Sequence, residues 1–403
     1  MPVLRNISQL AICPPGNPQN DAGLLDNAAL VWEGESIQWV GPYLELPNEF
    51  RKAEMVDCEQ KLVIPGLIDC HTHLCFGGWR GDEFELRLKG ASYQEIAAAG
   101  GGIAHTVSAT RGASLGELQR KAHGTLDEML SLGVTTVECK SGYGLDEANE
   151  LKQLEVYRRL DETHQVDLVS TFLGAHIIPP EHLAHRDRYI NLLCEVLIPR
   201  IAEQKLAGFC DAFVEEGAFT VSEAHKILST AAKHGLGIKV HADQLSDGGG
   251  AALAAALGAV SAEHLEYISD EGINALSKSG TVAVSLPLAS LYLREPCLPA
   301  RELLTSGVPV AVASDFNPGS APSYHLPLAM TLACLNQEMT PQESLMGATT
   351  VAARAISAHQ RIGSLMPGFQ ADLAIIDSPS LNHWLYHFKA NACNDVLKRG
   401  KWV

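Results

Sequence analysis

The sequence lacks several features that would assign it to a protein class at once. Its ten cysteines include no Cys-x-x-Cys pair, so neither a zinc knuckle nor a disulfide framework is expected. Scattered thiols of this kind are typical of a reducing cytoplasm. No apolar run approaches the roughly 18 residues of a membrane span, and residues 1–10 lack the apolar stretch of a secretion signal. We therefore expect a cytoplasmic protein with no membrane partner.

Basic residues are also scarce. The chain has 30 Lys and Arg against 47 Asp and Glu, which gives a formal net charge of −17 at pH 7. A protein that binds nucleic acid needs a basic face against the phosphates, so we expect no nucleic-acid partner. An anionic small substrate remains compatible with this charge, but its binding would require a locally placed Arg or Lys.

The 403 residues are enough for one large domain and a smaller one. Short β-type runs occupy both ends of the chain, at 29–40 and again at 363–377 and 395–403. Between them, β-type runs alternate with helix-type segments such as 114–132 and 246–257, which is typical of parallel βα units covered on both faces. These apolar runs lie at 67–71, 134–138, 168–172, 210–214, 237–241, 259–264, 282–286 and 308–313.

Eight such units favour a closed barrel over an open sheet. We expect an α/β fold in which residues 62–359 form a (β/α)₈ TIM barrel, and residues 1–61 with 360–403 form a small β-sandwich domain. The alternative is a doubly wound sheet that binds a dinucleotide. However, no Gly-x-Gly-x-x-Gly follows the first strand, and the glycine triplets at 100–102 and 248–250 do not have that spacing.

Ligand-type residues follow the predicted strands, where barrels of this kind place their chemistry. His71 and His73 end the first run and point the same way, because side chains alternate along a strand. His241 ends the fifth run, His264 ends the sixth, and Asp315 follows the eighth. The first three histidines with Asp315 would bind one metal ion, and zinc and iron both suit such ligands. A metal with an open coordination position activates water and polarises a carbonyl, which favours hydrolysis.

These strand ends, together with the Pro65–His73 segment and the Gly368–Leu373 motif, resemble the amidohydrolase superfamily. Within it, the chain is similar to the imidazolonepropionase family over nearly its whole length. The more specific motifs are Phe76–Arg80, Gly100–Ile103, Lys140–Leu145, Phe172–Pro180, His241–Gln244 and Ser314–Ser320. The resemblance implies hydrolysis of the ring carbon–nitrogen bond of 4-imidazolone-5-propanoate to N-formimidoyl-L-glutamate, in histidine degradation. It also implies one Zn²⁺ or Fe³⁺ ion per subunit and a homodimer.

The resemblance further implies roles for individual residues. Arg80 would bind the propanoate carboxylate, for which a planar guanidinium is well suited. The other substrate-binding residues would be Tyr143, His176, Gln244, Asn317, Gly319 and Ser320. His264 and Asp315 would be catalytic. His264 would orient or deprotonate the attacking water or stabilise the oxygen anion, and Asp315 would bind metal and carry the proton to the leaving ring nitrogen.

Simpler explanations exist for several of these residues. Arg80 could instead be a surface residue paired with Asp82 or Glu83, Tyr143 could anchor its own loop, and His176 could be structural. The Asn-Pro-Gly-Ser sequence after Asp315 would by itself indicate only a turn.

Two further positions limit the mechanism. Gln244 lies where some relatives carry Glu, and an amide cannot act as a carboxylate base. The fourth run contains no Lys, whereas binuclear relatives use a carboxylated Lys there to bridge two metals, so one metal is expected; Lys140 lies after the second run instead. Glu138, Asp211 and Glu215 could hold imidazole N–H groups or merely line the barrel rim.

Two other functions remain open at this point. A deaminase of bases such as guanine or cytosine would share the metal ligands, but would not need Arg80 for a carboxylate. A non-catalytic barrel that kept only the fold would be expected to have lost a metal ligand, and all four are present.

Overall fold

A computed structural model describes residues 1–90 and 101–403 of the chain. Gly100 of the Gly100–Ile103 motif lies outside the described residues. The described strands form two eight-stranded sheets, one built from both ends of the chain and one from its middle.

The chain begins with strands of the first sheet: β1 (Val3–Ala11), β2 (Leu24–Glu33), β3 (Ser36–Pro42), β4 (Met55–Asp57) and β5 (Leu62–Pro65). β1 pairs antiparallel with β2 and parallel with β4 and β5. β2 and β3 form a hairpin whose loop begins at Gly34, where a φ of 56° favours glycine.

The middle of the chain supplies the parallel strands β6 (Leu67–Thr72), β7 (Val134–Lys140), β8 (Asp167–Ala175), β9 (Phe209–Val214), β10 (Gly237–Ala242), β11 (Ser261–His264), β12 (Val282–Ser285) and β13 (Val310–Val312). Each pairs in parallel with the next, and nearly all their residues are buried. These strands coincide with the eight predicted runs, so the predicted barrel is confirmed.

Hydrogen bonds just beyond the strand ends join the first and last strands. The Asp315 N–H donates to the His71 carbonyl at 3.1 Å, and the His73 N–H donates to the Phe316 carbonyl at 2.8 Å. The same contacts that close the barrel therefore hold Asp315 beside both histidines.

Helices cover the outside of the barrel. They are α1 (Gly81–Leu88), α2 (Ile103–Gly112), α3 (Leu115–Ser131), α4 (Glu147–Thr163), α5 (Arg186–Asn191), α6 (Ile198–Glu203), α7 (Val221–Lys233), α8 (Gly250–Ala256), α9 (Asp270–Ser279), α10 (Pro287–Leu293), α11 (Ala300–Thr305), α12 (Leu326–Gln337), α13 (Pro341–Gly347) and α14 (Thr350–Ala355). The helix predicted over 246–257 begins only at Gly250. Asp243 accepts the N–H groups of Gly248 and Gly250, which holds the preceding residues in a loop.

The chain ends with α15 (Leu381–His387) and the strands β14 (Leu373–Ile376), β15 (Cys393–Lys398) and β16 (Lys401–Trp402). β14 pairs antiparallel with β5 and β15, so the two ends of the chain share one sheet around its own apolar core, as predicted. Lys398 joins this sheet to the barrel through an ion pair with Asp167 of β8 at 2.9 Å, and it also pairs with Asp372, next to β14, at 2.6 Å. Among the described helices, none combines the length and apolar character that crossing a bilayer requires.

Candidate active site

The predicted metal ligands meet at the carboxyl end of the barrel. Asp315 Oδ1 lies 3.3 Å from Nε2 of His71 and 3.4 Å from Nε2 of His73. The ring centroids of His71 and His241 are 4.6 Å apart. All four side chains are buried. The structure thus brings these residues, which we call the histidine–aspartate cluster, into one compact group.

The histidine–aspartate cluster fits a metal ion chemically. Within the described part of the chain, the buried Nε2 atoms of His71 and His241 have no hydrogen-bond partner, a costly state that a bound ligand would relieve. Burial, followed by the charge of Lys140, lowers the pKa of both imidazoles well below the ordinary value, so both are in the neutral form that binds metal. Burial alone would raise the pKa of Asp315, but its bond to His73 and the nearby imidazoles hold that pKa low, so the carboxylate is charged.

His264 lies against the histidine–aspartate cluster, and its ring nitrogen lies within 4.8 Å of a ring nitrogen of both His71 and His241. Its ring centroid is 5.4 Å from that of His241 and 5.8 Å from that of His71. Nδ1 lies 3.5 Å from Glu266 Oε1. Burial lowers the pKa of His264, but the Glu266 carboxylate acts in the opposite direction, and the net effect is a raised pKa. His264 therefore holds a proton more readily than an ordinary imidazole does, with Glu266 as its charged partner.

The backbone is strained at two of these positions. His264 has a φ of 75° and Asp315 a φ of 55°, both in the left-handed region. This conformation costs a residue other than glycine about 1–3 kcal/mol and is found mostly where a function requires it.

A network of buried charges lies beneath the histidine–aspartate cluster. Lys140 Nζ contacts Glu138 and Asp211 at 2.9 Å and Glu263 at 3.4 Å. Lys239 Nζ contacts the other oxygen of Glu263 at 2.9 Å. All five side chains are completely buried. Because these carboxylates have lysine partners, burial inside the barrel does not leave them as unpaired anions.

This network settles where three candidate supporting carboxylates lie. Asp211 Oδ2 is 2.9 Å from His241 Nδ1, so Asp211 is placed to hold that imidazole. Glu138 contacts Lys140 and Thr171 instead. Glu215 accepts hydrogen bonds from the Leu245 N–H and the Ser246 hydroxyl at the rim. Lys140 lies at the end of β7, inside the barrel, rather than after the strand.

A cavity of about 660 Å³ opens above the histidine–aspartate cluster. Every predicted substrate-binding residue lines it: Arg80, Tyr143, His176, Gln244, Asn317, Gly319 and Ser320. The cavity therefore places the predicted anion-binding and ring-binding groups beside the predicted metal ligands.

Arg80 faces this cavity and also pairs with Glu83. Its Nε and Nη2 donate to Glu83 Oε2 at 2.9 and 2.8 Å. Burial alone would raise the pKa of Glu83, but bonds from Arg80 and the Gly102 amide lower it, so the pair is charged. Glu83 uses one edge of the guanidinium, and Nη1 lies on the other side, against Gly319. The predicted pair with Glu83 is thus present, and binding of a carboxylate substrate by Arg80 stays a prediction.

Three other predicted residues surround the entrance to the histidine–aspartate cluster. The His176 ring stacks on His73 with centroids 5.3 Å apart and an interplanar angle of 19°. Tyr143 lies 5.4 Å from His176 and 5.8 Å from His73 between ring centroids. Gln244 lies across the same cavity.

The turn after Asp315 is organised by Asn317. Its Oδ1 accepts the N–H groups of Gly319 and Ser320 at 2.8 Å, and its Nδ2 donates to the Asp315 carbonyl at 2.7 Å. The Ser320 hydroxyl in turn donates to Asp315 Oδ2 at 3.2 Å. The turn therefore shapes the cavity wall, and direct contact between Asn317 and a substrate stays a prediction.

Several residues of the cavity wall were not expected from the sequence, among them Phe84, Arg87 and Tyr292. Phe84 of α1 stacks on Tyr292 of α10 with ring centroids 5.9 Å apart. Arg87 lies 5.8 Å from the Tyr292 ring and donates from Nη1 to the Gly319 carbonyl at 3.3 Å. An acidic chain that binds an anion needs local cations. By that criterion the sequence could have indicated Arg87, which lies about two helical turns beyond Arg80.

Comparison with known proteins agrees with this geometry. Residues 62–403 match the model of the amidohydrolase family. An imidazolonepropionase of Geobacillus thermodenitrificans is 48% identical over 388 residues, which cover 95% of this chain and 92% of that protein. An imidazolonepropionase of Clostridium tetani is 42% identical, with 100% and 97% of the two chains covered.

Solved structures share the fold at much lower identity. A 5-methylcytosine deaminase from Klebsiella pneumoniae liganded with phosphonocytosine has a TM-score of 0.75 at 17% identity, with 100% of this chain and 97% of that chain covered. A zinc-bound adenosine deaminase from Xanthomonas campestris has a TM-score of 0.67 at 19% identity, with 100% and 92% covered. At these identities the likeness extends to the fold alone.

Proposed function

Because the chain belongs to the amidohydrolase family and, within it, to the imidazolonepropionases, we propose that its histidine–aspartate cluster opens the ring of 4-imidazolone-5-propanoate. The chain is a hydrolase of a cyclic amide carbon–nitrogen bond, and its product is N-formimidoyl-L-glutamate, an intermediate of histidine degradation. One observation carries the assignment to this site. A single cavity combines a buried set of metal ligands with an arginine suited to an anion.

The enzyme uses a metal cofactor, and we propose one Zn²⁺ or Fe³⁺ ion held by His71, His73, His241 and Asp315. When bound, the metal polarises the ring carbonyl and makes water a better nucleophile at neutral pH. Two observations support one ion rather than two. β9 contains no Lys, and Lys140 Nζ is engaged by carboxylates, which leaves it unsuited to a carboxylated bridge.

We propose that Arg80 fixes the substrate by its propanoate. Nη1 is the nitrogen that Glu83 leaves for a second carboxylate, and a charge-assisted bond of this kind is about twice as strong as a neutral one. Tyr143 and His176 would flank the imidazolone ring, with Gln244 donating a hydrogen bond. The turn at Asn317, Gly319 and Ser320 would complete the contact surface.

Proton transfer would involve His264 and Asp315. His264 Nδ1 faces Glu266, so Nε2 is the atom that would take a proton from the water attacking the ring carbonyl. Asp315 starts as a carboxylate and would receive that proton on Oδ2, which also accepts the Ser320 hydroxyl. It would then pass the proton to the ring nitrogen as the carbon–nitrogen bond breaks. The nitrogen then leaves as a neutral group rather than as an anion. Gln244 has no acidic proton and takes no part in this transfer.

We also propose the organisation of the chain around this site. The barrel was predicted to begin at residue 62, but β5 (Leu62–Pro65) pairs with β1 and β14 in the sheet of the chain ends. Residues 1–65 and 360–403 would therefore form the smaller domain and residues 66–359 the barrel, in a cytoplasmic homodimer. The ten cysteines are all free thiols, which supports a reducing compartment. Light scattering on the purified protein would test the dimer.

The proposed reaction is tested by product analysis. Purified protein is incubated with 4-imidazolone-5-propanoate, substrate loss is followed by ultraviolet absorbance, and the product is identified by mass spectrometry. We expect N-formimidoyl-L-glutamate and no ammonia from cytosine or guanine in parallel reactions. Ammonia release from a base, without ring opening of the imidazolone, would instead establish a deaminase.

A further inference from the structure

Two buried polar side chains outside the cavity hold the loop that carries Tyr143. This loop, residues 141–145, connects β7 to the segment before α4. Glu150 and Gln153, one turn apart on α4, are completely buried beneath it. Neither side chain lines the cavity or contacts the histidine–aspartate cluster, so the proposed chemistry does not explain why a carboxylate is buried at this point.

The two side chains accept the N–H groups of four successive loop residues. Glu150 Oε1 accepts Gly144 and Leu145 at 2.8 Å, and both of its oxygens accept Gly142 at 3.2 Å. Gln153 Oε1 accepts the remaining amide, that of Tyr143, at 3.2 Å. Backbone N–H groups stabilise an acceptor carboxylate as an anion. In Glu150→Gln an NH₂ group would replace the second oxygen, which now accepts the Gly142 N–H, and two donors would then face each other.

Close packing leaves this loop little freedom to move. A Cβ on Gly144 would lie within 3.0 Å of the backbone of Asn149 and Glu150, so only glycine allows the loop to approach α4 this closely. Gly142 has a φ of 106°, and a Cβ there would lie 2.8 Å from the Leu173 carbonyl oxygen. Gly144 therefore allows the close contact between the loop and α4, and Gly142 allows the close contact between the loop and β8.

The loop also positions a second cavity residue. The Gly142 carbonyl oxygen lies 3.0 Å from His176 Nδ1, within hydrogen-bond distance. Gln153 Nε2 donates to the Cys75 carbonyl at 2.6 Å, which links the loop to the segment after His73. A shift of the loop would consequently move Tyr143 and release the His176 ring.

We propose that Glu150 and Gln153 are positioning residues for substrate binding, which fix Tyr143 and His176 in the cavity by holding the four loop amides. This inference rests on the proposed function, because it assigns Tyr143 and His176 to the substrate. It predicts an effect on KM that acts through Tyr143, with little change in metal binding.

The test compares Glu150→Gln, Gln153→Leu and Tyr143→Phe with the double variant Glu150→Gln/Tyr143→Phe. Glu162→Gln, an exposed glutamate of the same helix, is the matched control. KM, kcat and bound metal are measured for each protein, and hydrogen exchange is measured for amides 142–145. We expect Glu150→Gln to raise KM about tenfold or more, equivalent to about 1.4 kcal/mol, with kcat and bound metal changed far less. The amides of the loop should exchange faster, and the control should behave like the wild type.

The double variant separates positioning from a general structural effect. Because Glu150 acts in part through Tyr143, the increase in KM of the double variant should lie clearly below the product of the two single increases. The inference would be overturned if the KM increases of the two single variants simply multiplied in the double variant, or if Glu150→Gln had the KM of the wild type. If Glu150→Gln does not fold, Gln153→Leu provides the test. We expect a smaller rise in KM for this variant, and an unchanged KM would refute the proposal. Absence of turnover in the wild type would instead refute the proposed function, while hydrogen exchange would still test whether Glu150 holds the loop.

Discussion

The substitution Gly319→Ala tests the position of Arg80 without altering any charged or hydrogen-bonding side chain. Gly319 lies in the turn after Asp315, and a Cβ there would lie within 3.0 Å of Arg80 Nη1 and 3.3 Å from Asn317 Oδ1. The φ of Gly319 is not in the left-handed region, so alanine does not strain the backbone. The guanidinium has to move instead. Because Glu83 holds its Nε and Nη2, the displaced atom is Nη1, the proposed contact of the propanoate.

The size of the effect follows from the bond that is disturbed. A hydrogen bond to a charged group contributes about 1.5–3 kcal/mol, and each 1.4 kcal/mol corresponds to about a tenfold change in affinity. We expect Gly319→Ala to raise KM by about tenfold to a hundredfold. The metal ligands keep their positions, so bound metal should not change.

The assay measures KM for the substrate and for an analogue whose propanoate is converted to the neutral amide. The matched control is Gly81→Ala, next to Arg80 in the chain, where a Cβ would meet no atom within 4 Å. The analogue should have a high KM with the wild type, and Gly319→Ala should raise the KM of the analogue little further. An unchanged KM for the substrate in Gly319→Ala, or an equal loss for substrate and analogue, would refute the assignment of Arg80 to the carboxylate.

Three further predictions concern other parts of the structure. Burial lowers the pKa of Lys121 to about 8 from 10.5, and its Nζ donates to two carbonyls of the loop that carries Arg80. Between pH 8 and 10.5 the unfolded chain keeps the proton of Lys121 while the folded chain has lost it. The free energy of unfolding of the wild type should therefore rise with pH relative to that of Lys121→Met. If urea titrations gave the same difference in free energy at every pH, the reasoning would be contradicted. Lys140→Met leaves three buried carboxylates without their shared cation and should lower the free energy of unfolding by about 3–5 kcal/mol. The exposed control Lys89→Met should lower it by less than about 1 kcal/mol, and equal losses in the two variants would show that the network does not stabilise the fold. His264→Ala should lower kcat by about 10²- to 10⁴-fold with metal retained, whereas Gln244→Ala should mainly raise KM; the reverse pattern in steady-state kinetics would exchange their proposed roles.

The sequence was sufficient to predict the barrel and the convergence of His71, His73, His241 and Asp315 at one end of it. Apolar runs alternating with helical segments specify parallel strands, and the ends of such strands meet at one rim. His71 and His73 could be placed on one side because side chains alternate along a strand. These inferences depend only on local periodicity, which a single sequence displays.

Other features depend on contacts between distant parts of the chain. Glu263 points into the barrel toward Lys140 and Lys239, and the left-handed backbone at His264 brings this next residue to the cavity as well. Alternation along a strand sends neighbouring side chains to opposite sides, so it could not have predicted that both Glu263 and His264 face the inside of the barrel and its cavity. Likewise, the sequence offered Glu83 or a substrate as alternative partners for Arg80, whereas the structure places Glu83 at one edge of the guanidinium and Gly319 of the cavity wall at the other.

The most direct test of the central claim is a metal titration of chelator-stripped protein. Turnover of 4-imidazolone-5-propanoate and bound Zn²⁺ are measured in the same samples, with His241→Ala as the variant that lacks a ligand. We expect no turnover without metal, a linear rise that ends at one ion per chain, and no recovery in His241→Ala. Full turnover by the metal-free wild type would contradict a metal-dependent hydrolase at the histidine–aspartate cluster.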